Sequence, residues 1–281
     1  MDENEDPVRK YRKAYGAELA QQAGKATSKT RQLLTEPDLS SNVTKLLAAL
    51  RNQGEPAEER KAALHALQAA SFLGPRFAPY RADFLAALRE IARPGTDSQL
   101  REDALEILAI EKDPQAQELL RRGLTDPKAA LVSPAKALQF LGYDDHAEVT
   151  DLARDAFHKA GEDVTKEQAL RLLASDPASA GLFTNLLRDK SQPRNIRALS
   201  AAGLNVLDPT AFAAVGRGIV TDDKDYEDIR ATVLNALTHS PDHQHLRHDP
   251  DFVERVKQFA SSAPLKNLSA VAARFMKSEG N

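Results

Sequence analysis

The chain has 281 residues, no cysteine, a formal net charge of -3, and only 5% aromatic residues with no tryptophan. The absence of cysteine excludes disulfide bonds, thiolate metal ligands and thiol nucleophiles. The negative net charge argues against a general nucleic-acid coat, because phosphate-backbone binding depends on a positive field, although a local basic face is compatible with it. Small and straight-chain apolar residues dominate and suit helix packing, so we predict an all-α protein.

The first predicted element is a basic N-terminal arm, assigned to residues 1–37 and expected to be partly disordered or helical. Residues 8–31 contain seven Lys or Arg against the single acidic residue Glu18. Such a segment binds nucleic acid, an anionic surface or an acidic partner, or it is simply a solvated end of the chain or a frayed first helix. The start of the chain resembles neither a signal peptide nor a membrane-spanning helix, so we expect a cytoplasmic protein.

Residues 38–260 form a predicted array of helices. The first has apolar residues at the i, i+4, i+7, i+8 spacing of a buried helix face, namely Leu39, Val43, Leu46, Leu47 and Leu50. Two more helices follow, near 57–73 and 80–92. Gly74 and Pro75 end the former, since glycine accepts a left-handed cap and proline cannot continue a helix.

Beyond residue 100 the predicted helices come in short pairs. The pairs are 101–110 with 115–124, 135–141 with 146–159, 166–174 with 178–188, 194–207 with 210–220, and 228–238 with 251–259. Five aspartates that precede proline mark helix starts, because aspartate caps a helix and proline is tolerated at its first position: Asp113, Asp126, Asp176, Asp208 and Asp249. A helix at 265–276 belongs to a C-terminal capping segment, residues 261–281.

A repeat of roughly 30 residues underlies these pairs. It is seen in Ala104-Leu105, Ala137-Leu138, Ala169-Leu170, Ala198-Leu199 and Ala231-Thr232. Residues 195–204 and 228–237 place an apolar residue, Arg and Ala at the start of a helix, and in this they resemble the first helix of HEAT-type repeats. Residues 60–64 and 101–105 are looser versions. The resemblance covers about residues 57–260, and the period is more similar to the compact bacterial form.

This resemblance implies a right-handed α-solenoid, or superhelix, of about six HEAT-like antiparallel helix pairs. Relatives of this kind act mainly as binding surfaces. We therefore predict a non-catalytic HEAT-repeat scaffold that binds a protein or peptide partner on its concave surface, is not an enzyme, uses no cofactor and is a monomer. One alternative is a nucleic-acid-binding protein, as HEAT-like DNA glycosylases are. Another is a helper of chromophore attachment or removal, as short-period bacterial HEAT-like lyases are.

The predicted partner-binding residues are five arginines on successive second helices, spaced close to the repeat period: Arg89, Arg122, Arg154, Arg188 and Arg217. In a solenoid they would stack into a basic ladder that grips an acidic segment or a phosphate backbone, with help from the N-terminal arm. The competing interpretation is that arginines near helix ends only complement the helix dipole.

Two polar clusters and two histidines complete the candidates. The first cluster contains side chains of the kinds that bind zinc or nickel: His239, Asp242, His243, His245 and His248. A solvated loop is the favoured interpretation, because no two ligands lie at i and i+4 on a predicted helix.

The acidic run from Asp222 to Asp228 fails the EF-hand pattern and is expected to complement the helix that begins there, as Asp144 and Asp145 would for the next predicted helix. The isolated His65 and His158 are interpreted as partly buried helix residues, and no catalytic motif is recognised.

Overall fold

The computed structural model of the protein describes residues 39–144, 148–240, 243–261 and 266–277, which form α-helices and short 3-10 turns without a β-strand. The prediction of an all-α protein is confirmed for this part of the chain. The predicted basic arm at residues 1–37 lies outside it. None of the described helices is both long enough and apolar enough to cross a membrane.

The α-helices are α1 (Leu39–Arg51), α2 (Ala57–Ser71), α3 (Arg81–Ile91), α4 (Ser98–Ile110), α5 (Pro114–Thr125), α6 (Pro134–Leu141), α7 (Thr150–Lys159), α8 (Asp163–Leu173), α9 (Ala180–Arg188), α10 (Arg194–Leu207), α11 (Pro209–Thr221), α12 (Glu227–Thr238), α13 (His243–Arg247), α14 (Pro250–Ala260) and α15 (Lys266–Lys277). The 3-10 turns are Gly74–Arg76, Ala78–Tyr80, Pro127–Ala129 and Pro177–Ser179.

The chain divides into two compact units, of which the first contains α1 to α5 together with Tyr143 and Asp144. Helix α1 packs on α2 and α3, α4 packs on α2 and α3, and α5 packs on α4. Leu50, Leu64 and Leu88 are completely buried between these helices. Each helix therefore hides its apolar face against the next helix or the next but one, as the spacing of its apolar residues predicts.

The second unit contains α6 to α15. Helices α6, α8, α10 and α12 pack in succession, and α9, α11 and α14 pack in succession in a second row, in which α9 packs on α10 and α11 packs on α10 and α12. The predicted pairing of 228–238 with 251–259 needs correction, because α15 packs against both α12 and α14. The Glu227 carboxylate accepts hydrogen bonds from the amides of Asn267 and Leu268, which fixes the start of α15 beside the start of α12.

The aspartates that precede proline cap helices as predicted. Asp113, Asp208 and Asp249 accept backbone amide hydrogen bonds at the first turns of α5, α11 and α14. Asp126 and Asp176 do the same for 3-10 turns, so α9 begins only at Ala180. The signal is reliable because it is local: the carboxylate and the amides that it satisfies lie within three residues of each other.

The repeat is held by an arginine near the start of a first helix. The Nε atoms of Arg60, Arg197 and Arg230 each donate to a carbonyl oxygen ten residues earlier, at distances of 3.0, 2.9 and 3.0 Å. These acceptors lie at the end of the preceding helix, where carbonyl groups lack a helical partner. The arginine thus fixes how α2, α10 and α12 each follow the helix before them.

This anchoring corrects the register of the predicted repeat. The residues three and four positions after Arg60 and after Arg101 are buried pairs, Ala63 with Leu64 and Ala104 with Leu105. In α10 and α12 the same offsets give Ser200 with Ala201 and Val233 with Leu234, which are also buried. The predicted repeat positions in these two helices, Ala198-Leu199 and Ala231-Thr232, therefore lie two residues too early in the chain. Composition alone does not show which arginine anchors the helix.

Candidate functional site

Three of the five ladder arginines form ion pairs with helix-capping aspartates. Arg89 Nη2 lies 2.5 Å from Asp113 Oδ2, Arg154 Nη2 lies 2.8 Å from Asp176 Oδ2, and Arg217 Nε lies 2.5 Å from Asp249 Oδ2. In each aspartate Oδ1 accepts the backbone amides, so one carboxylate caps a helix start and binds an arginine from an earlier helix. These arginines therefore have an intramolecular role in joining helices.

The pKa shifts of the paired groups agree with these ion pairs. Hydrogen bonding from the Arg217 guanidinium, aided by the amide of Phe252, holds the pKa of Asp249 below its usual range. Burial would raise the pKa of Asp113, but the Arg89 guanidinium and the amides of the first turn outweigh burial and lower it. The Asp113 and Asp249 carboxylates in turn raise the pKa of Arg89 and Arg217. The negative charge of the caps offsets the positive field that a basic ladder needs.

Arg122 and Arg188 are exposed and have no ion pair among the described residues. Arg89 and Arg122 belong to the first unit, whereas Arg154, Arg188 and Arg217 belong to the second. Binding of a partner by these five arginines stays a prediction.

The double role of the caps leads to a stability prediction within the first unit. Asp113→Ala should lower the free energy of unfolding by about 2–3 kcal/mol, because it removes a cap and leaves the Arg89 guanidinium without its charged acceptor. The control is Asp126→Ala, which removes an exposed cap whose carboxylate has, within the described ranges, only the Lys128 amide as partner. We expect it to cost about 0.5 kcal/mol. Urea unfolding followed by circular dichroism measures both, and equal effects would contradict the joining role of the Arg89 pair.

The acidic run from Asp222 to Asp228 also forms ion pairs rather than acting only on a helix dipole. Asp222 binds Lys190, Asp223 binds Arg230 and Arg255, Asp225 binds Arg197, and Asp228 binds Arg194. The cations come from α10, α12, α14 and the loop after α9. The expectation of helix-dipole compensation is correct for Glu227 and Asp228, which lie in the first turn of α12, and incomplete for the other carboxylates.

Asp144 differs from its prediction for the same reason. Helix α7 begins at Thr150, and Asp144 binds the Lys112 ammonium at 3.2 Å and the Gln117 amide at 2.6 Å. Lys112 has a φ of +55°, which turns the chain tightly between α4 and α5. Asp145 lies outside the described residues.

The histidine cluster is partly helical rather than a loop, since α13 spans His243–Arg247. His239 and His245 are exposed, and His248 Nδ1 lies 2.7 Å from the Gln244 carbonyl oxygen. Asp242 lies outside the described residues, and the described ones contain no group of three or more metal-ligating side chains placed to hold an ion. His158 is exposed on α7 beside Phe157, which corrects its prediction as partly buried.

A polar contact that the sequence did not indicate lies between α2 and α4. His65 Nε2 lies 3.5 Å from Asp103 Oδ2, and the Gln99 amide donates to Asp103 Oδ1 at 2.8 Å. Burial would raise the pKa of Asp103, but hydrogen bonding from His65 and Gln99 and the charge of Lys61 lower it. His65 is half-buried, in agreement with its interpretation, and it has a specific partner across the helix contact.

Two large apolar side chains follow the residues of this contact at the same spacing in the sequence. Phe72 follows His65 by seven residues and Ile110 follows Asp103 by seven, which is nearly two helical turns or about 10 Å along each axis. Phe72 keeps a helical backbone just after α2, and Ile110 ends α4. Because α2 packs on α4, Phe72 and Ile110 both lie at the C-terminal ends of two helices that are in contact.

Phe72, its neighbour Leu73 and Ile110 are more exposed to solvent than most large apolar side chains of the described residues. Phe72 is 67% exposed, the neighbouring Leu73 39% and Ile110 38%. We call these three residues the Phe72 surface. Among the described residues, the other large exposed apolar side chains are Val164, Val206 and Tyr226, which lie on different helix ends of the second unit. Scattered exposed apolar residues are normal, whereas an exposed cluster marks an interaction site.

An ion pair and a buried aromatic ring hold the loop that carries this surface. Arg81, at the start of α3, binds Glu111, next to Ile110. Phe77 is 1% exposed and packs edge-on against Phe84, with ring centroids 5.9 Å apart. Gly74 has a φ of +59°, the left-handed conformation predicted for it, although α2 ends three residues earlier at Ser71. The sequence signal at Gly74 predicted the chain break and not the exposed residues before it.

No family model matches the chain, and no curated protein matches it. Among solved structures, human deoxyhypusine hydroxylase in complex with glycerol is similar at 15% sequence identity and a TM-score of 0.36, over 85% of this chain and 97% of that one. That protein is an enzyme, so the predictions of a non-catalytic scaffold and of a chain that is not an enzyme are contradicted and are not retained. A TM-score of 0.36 is also too low for this likeness to assign a reaction to the chain.

Proposed function

We propose that this chain is a HEAT-like helical repeat protein that binds a protein or peptide partner through the Phe72 surface. The observation that carries the proposal is the 67% exposure of Phe72 beside Leu73 and Ile110 in a part of the chain that is otherwise well packed. Exposed aromatic residues on a rigid frame are typical anchors of protein interfaces, because they bury a large apolar area at little cost in conformational entropy. The proposal concerns binding and assigns no reaction.

The HEAT-like part of the proposal is supported by the stacking within each unit. Helices α6, α8, α10 and α12 follow one another in one row, and α9, α11 and α14 in another. The recurring arginine of Arg60, Arg197 and Arg230 supplies the same contact each time. We propose that this stacking is that of a short-period right-handed solenoid, and that the protein works as a cytoplasmic monomer.

Replacement of Phe72 tests the proposal. Phe72→Asp should reduce recovery of the partner at least about 10-fold in affinity capture from an extract of the producing cells, because a charge replaces an apolar anchor. Val206→Asp is the matched control, since Val206 is 72% exposed on α10 of the second unit and should change recovery little. Circular dichroism confirms that both variants keep the fold.

Treatment of the extract with nuclease separates the two partner classes. A protein partner is recovered with or without nuclease. Loss of all recovery after nuclease would identify nucleic acid as the bound species, with the arginines and the N-terminal arm as the groups to test next. Equal losses from the Phe72 and Val206 variants would show that the Phe72 surface is not the binding site.

A further inference from the structure

Two residues of the Phe72 surface, Phe72 and Leu73, lie in a stretch of the chain without acidic residues. Residues 60–82 contain no Asp or Glu and four cations, namely Arg60, Lys61, Arg76 and Arg81. In a chain with 41 acidic residues and 38 Lys or Arg, a run of this length without an acid departs from the average composition. The charge of the surroundings therefore bears on which partner the apolar side chains can accept.

Among the described residues near Phe72 in the sequence, one cation is available to a partner. Arg60 donates to the Leu50 carbonyl oxygen, and Arg81 is paired with Glu111. Lys61 lies on α2 eleven residues before Phe72, about 16 Å along the helix, where its charge acts on Asp103. Arg76 is exposed four residues after Phe72 and has no hydrogen bond or ion pair among the described residues.

The acidic residues of α4 do not cancel this charge. Asp103 lies in contact with His65 and Gln99, Glu106 accepts a hydrogen bond from the Tyr143 hydroxyl, and Glu111 binds Arg81. Each carboxylate therefore has a partner within the first unit. Arg76 and the three residues of the Phe72 surface are exposed to solvent.

We infer that the partner of the Phe72 surface is an acidic peptide segment that carries at least one large apolar side chain. The inference rests on the proposed function and specifies the chemistry of the partner. The apolar side chain of the segment packs on Phe72 and Ile110 and removes their surface from water. A flanking carboxylate pairs with Arg76, whose guanidinium can bind both oxygen atoms of a carboxylate.

Three synthetic peptides of equal length test this partner chemistry with the full chain. The first contains Glu and Asp around Leu and Phe, the second replaces the acids by Lys, and the third keeps the acids and replaces Leu and Phe by Ser. Fluorescence anisotropy should detect binding of the first peptide only. We expect Phe72→Ala and Arg76→Glu each to weaken that binding about 10-fold, and added salt to weaken it further.

Matched variants separate local contacts from general charge effects. Lys128→Glu changes the net charge of the first unit as much as Arg76→Glu does, at an exposed position in the turn after α5, and should leave the affinity for the first peptide unchanged. Val206→Ala is the corresponding control for Phe72→Ala. A peptide affinity that falls equally in Lys128→Glu and Arg76→Glu would overturn the inference.

Further outcomes would also overturn it. Equal or tighter binding of the basic peptide contradicts the role of Arg76, and equal binding of the serine peptide contradicts the role of the apolar side chains. Absence of any peptide binding, together with loss of partner capture in Phe72→Asp, would retain the proposed function and refute the acidic segment. The two proposals therefore fail by different measurements.

Discussion

Asp225→Ala is expected to lower the free energy of unfolding of the second unit by about 3–5 kcal/mol, because it leaves a buried guanidinium without its counter-charge. The side chains of Asp225 and Arg197 are 1% and 0% exposed, and two hydrogen bonds of 2.6 and 2.7 Å join them. The third guanidinium nitrogen of Arg197, Nε, donates to the Leu187 carbonyl oxygen.

Two comparisons sharpen this expectation. The double variant Arg197→Met, Asp225→Leu should cost less than Asp225→Ala alone, because it leaves no buried charge unpaired. Asp228→Ala removes the carboxylate of an exposed ion pair with Arg194 and should cost less than about 1 kcal/mol. Urea unfolding measures all three, and an Asp225→Ala variant as stable as Asp228→Ala would contradict the importance of the buried pair.

The same pair makes stability depend on pH. Burial would raise the pKa of Asp225, but the Arg197 guanidinium and the amide of Tyr226 outweigh burial and lower the pKa from its usual value of 3.8. The folded state therefore binds fewer protons than the unfolded state in acid. The stabilisation is complete above the unfolded pKa and is lost as the pH falls from about 5 through the folded pKa. Asp225→Ala should show a shallower loss of stability over this range.

Gly203→Ala is expected to destabilise the second unit by about 1–3 kcal/mol, because the added methyl group has no space. A Cβ atom at Gly203 in α10 would lie 2.7 Å from Cε1 and 2.9 Å from Cζ of Phe183. Phe183 is completely buried on α9, so its ring cannot move away. This cost exceeds the gain of about 1 kcal/mol that alanine brings to a helix interior.

Gly218 supplies the matched control. It lies in α11 with no atom within 4 Å of an added Cβ and without a left-handed φ. Gly218→Ala should therefore stabilise the protein by up to about 1 kcal/mol. Thermal and urea unfolding measure both variants. Stabilisation of the same size in Gly203→Ala and Gly218→Ala would show that α9 and α10 do not pack as closely as described.

Features governed by neighbouring residues could be predicted from the sequence. The apolar spacing of Val43, Leu46 and Leu50 predicted a buried helix face, and all three are buried in α1. Asp113 predicted the start of α5, because a cap and its amides lie within three residues. The left-handed φ of Gly74 was also predicted, because glycine accepts this conformation at the end of a helix. In each case the interacting atoms are close in the chain.

The candidate site could not be predicted in this way. The equal spacing of the five arginines indicated a shared binding role, yet Arg89 binds Asp113, 24 residues further along the chain. The run of acids at Asp222 indicated a helix-dipole role, yet Lys190 comes from 32 residues earlier. The exposure of Phe72 depends on which helices fail to cover it, and no pattern of neighbouring residues reports that.

Local spacing and capping chemistry by themselves determined that the described part of this protein is all-helical and where most of its helices begin, since a helix is built from contacts within four residues of each other. The tertiary structure alone decided which charges neutralise each other and which apolar side chains remain exposed. The reason is physical: an ion pair such as Arg197 with Asp225, or an uncovered surface such as that at Phe72, depends on distances between helices that are far apart in the chain.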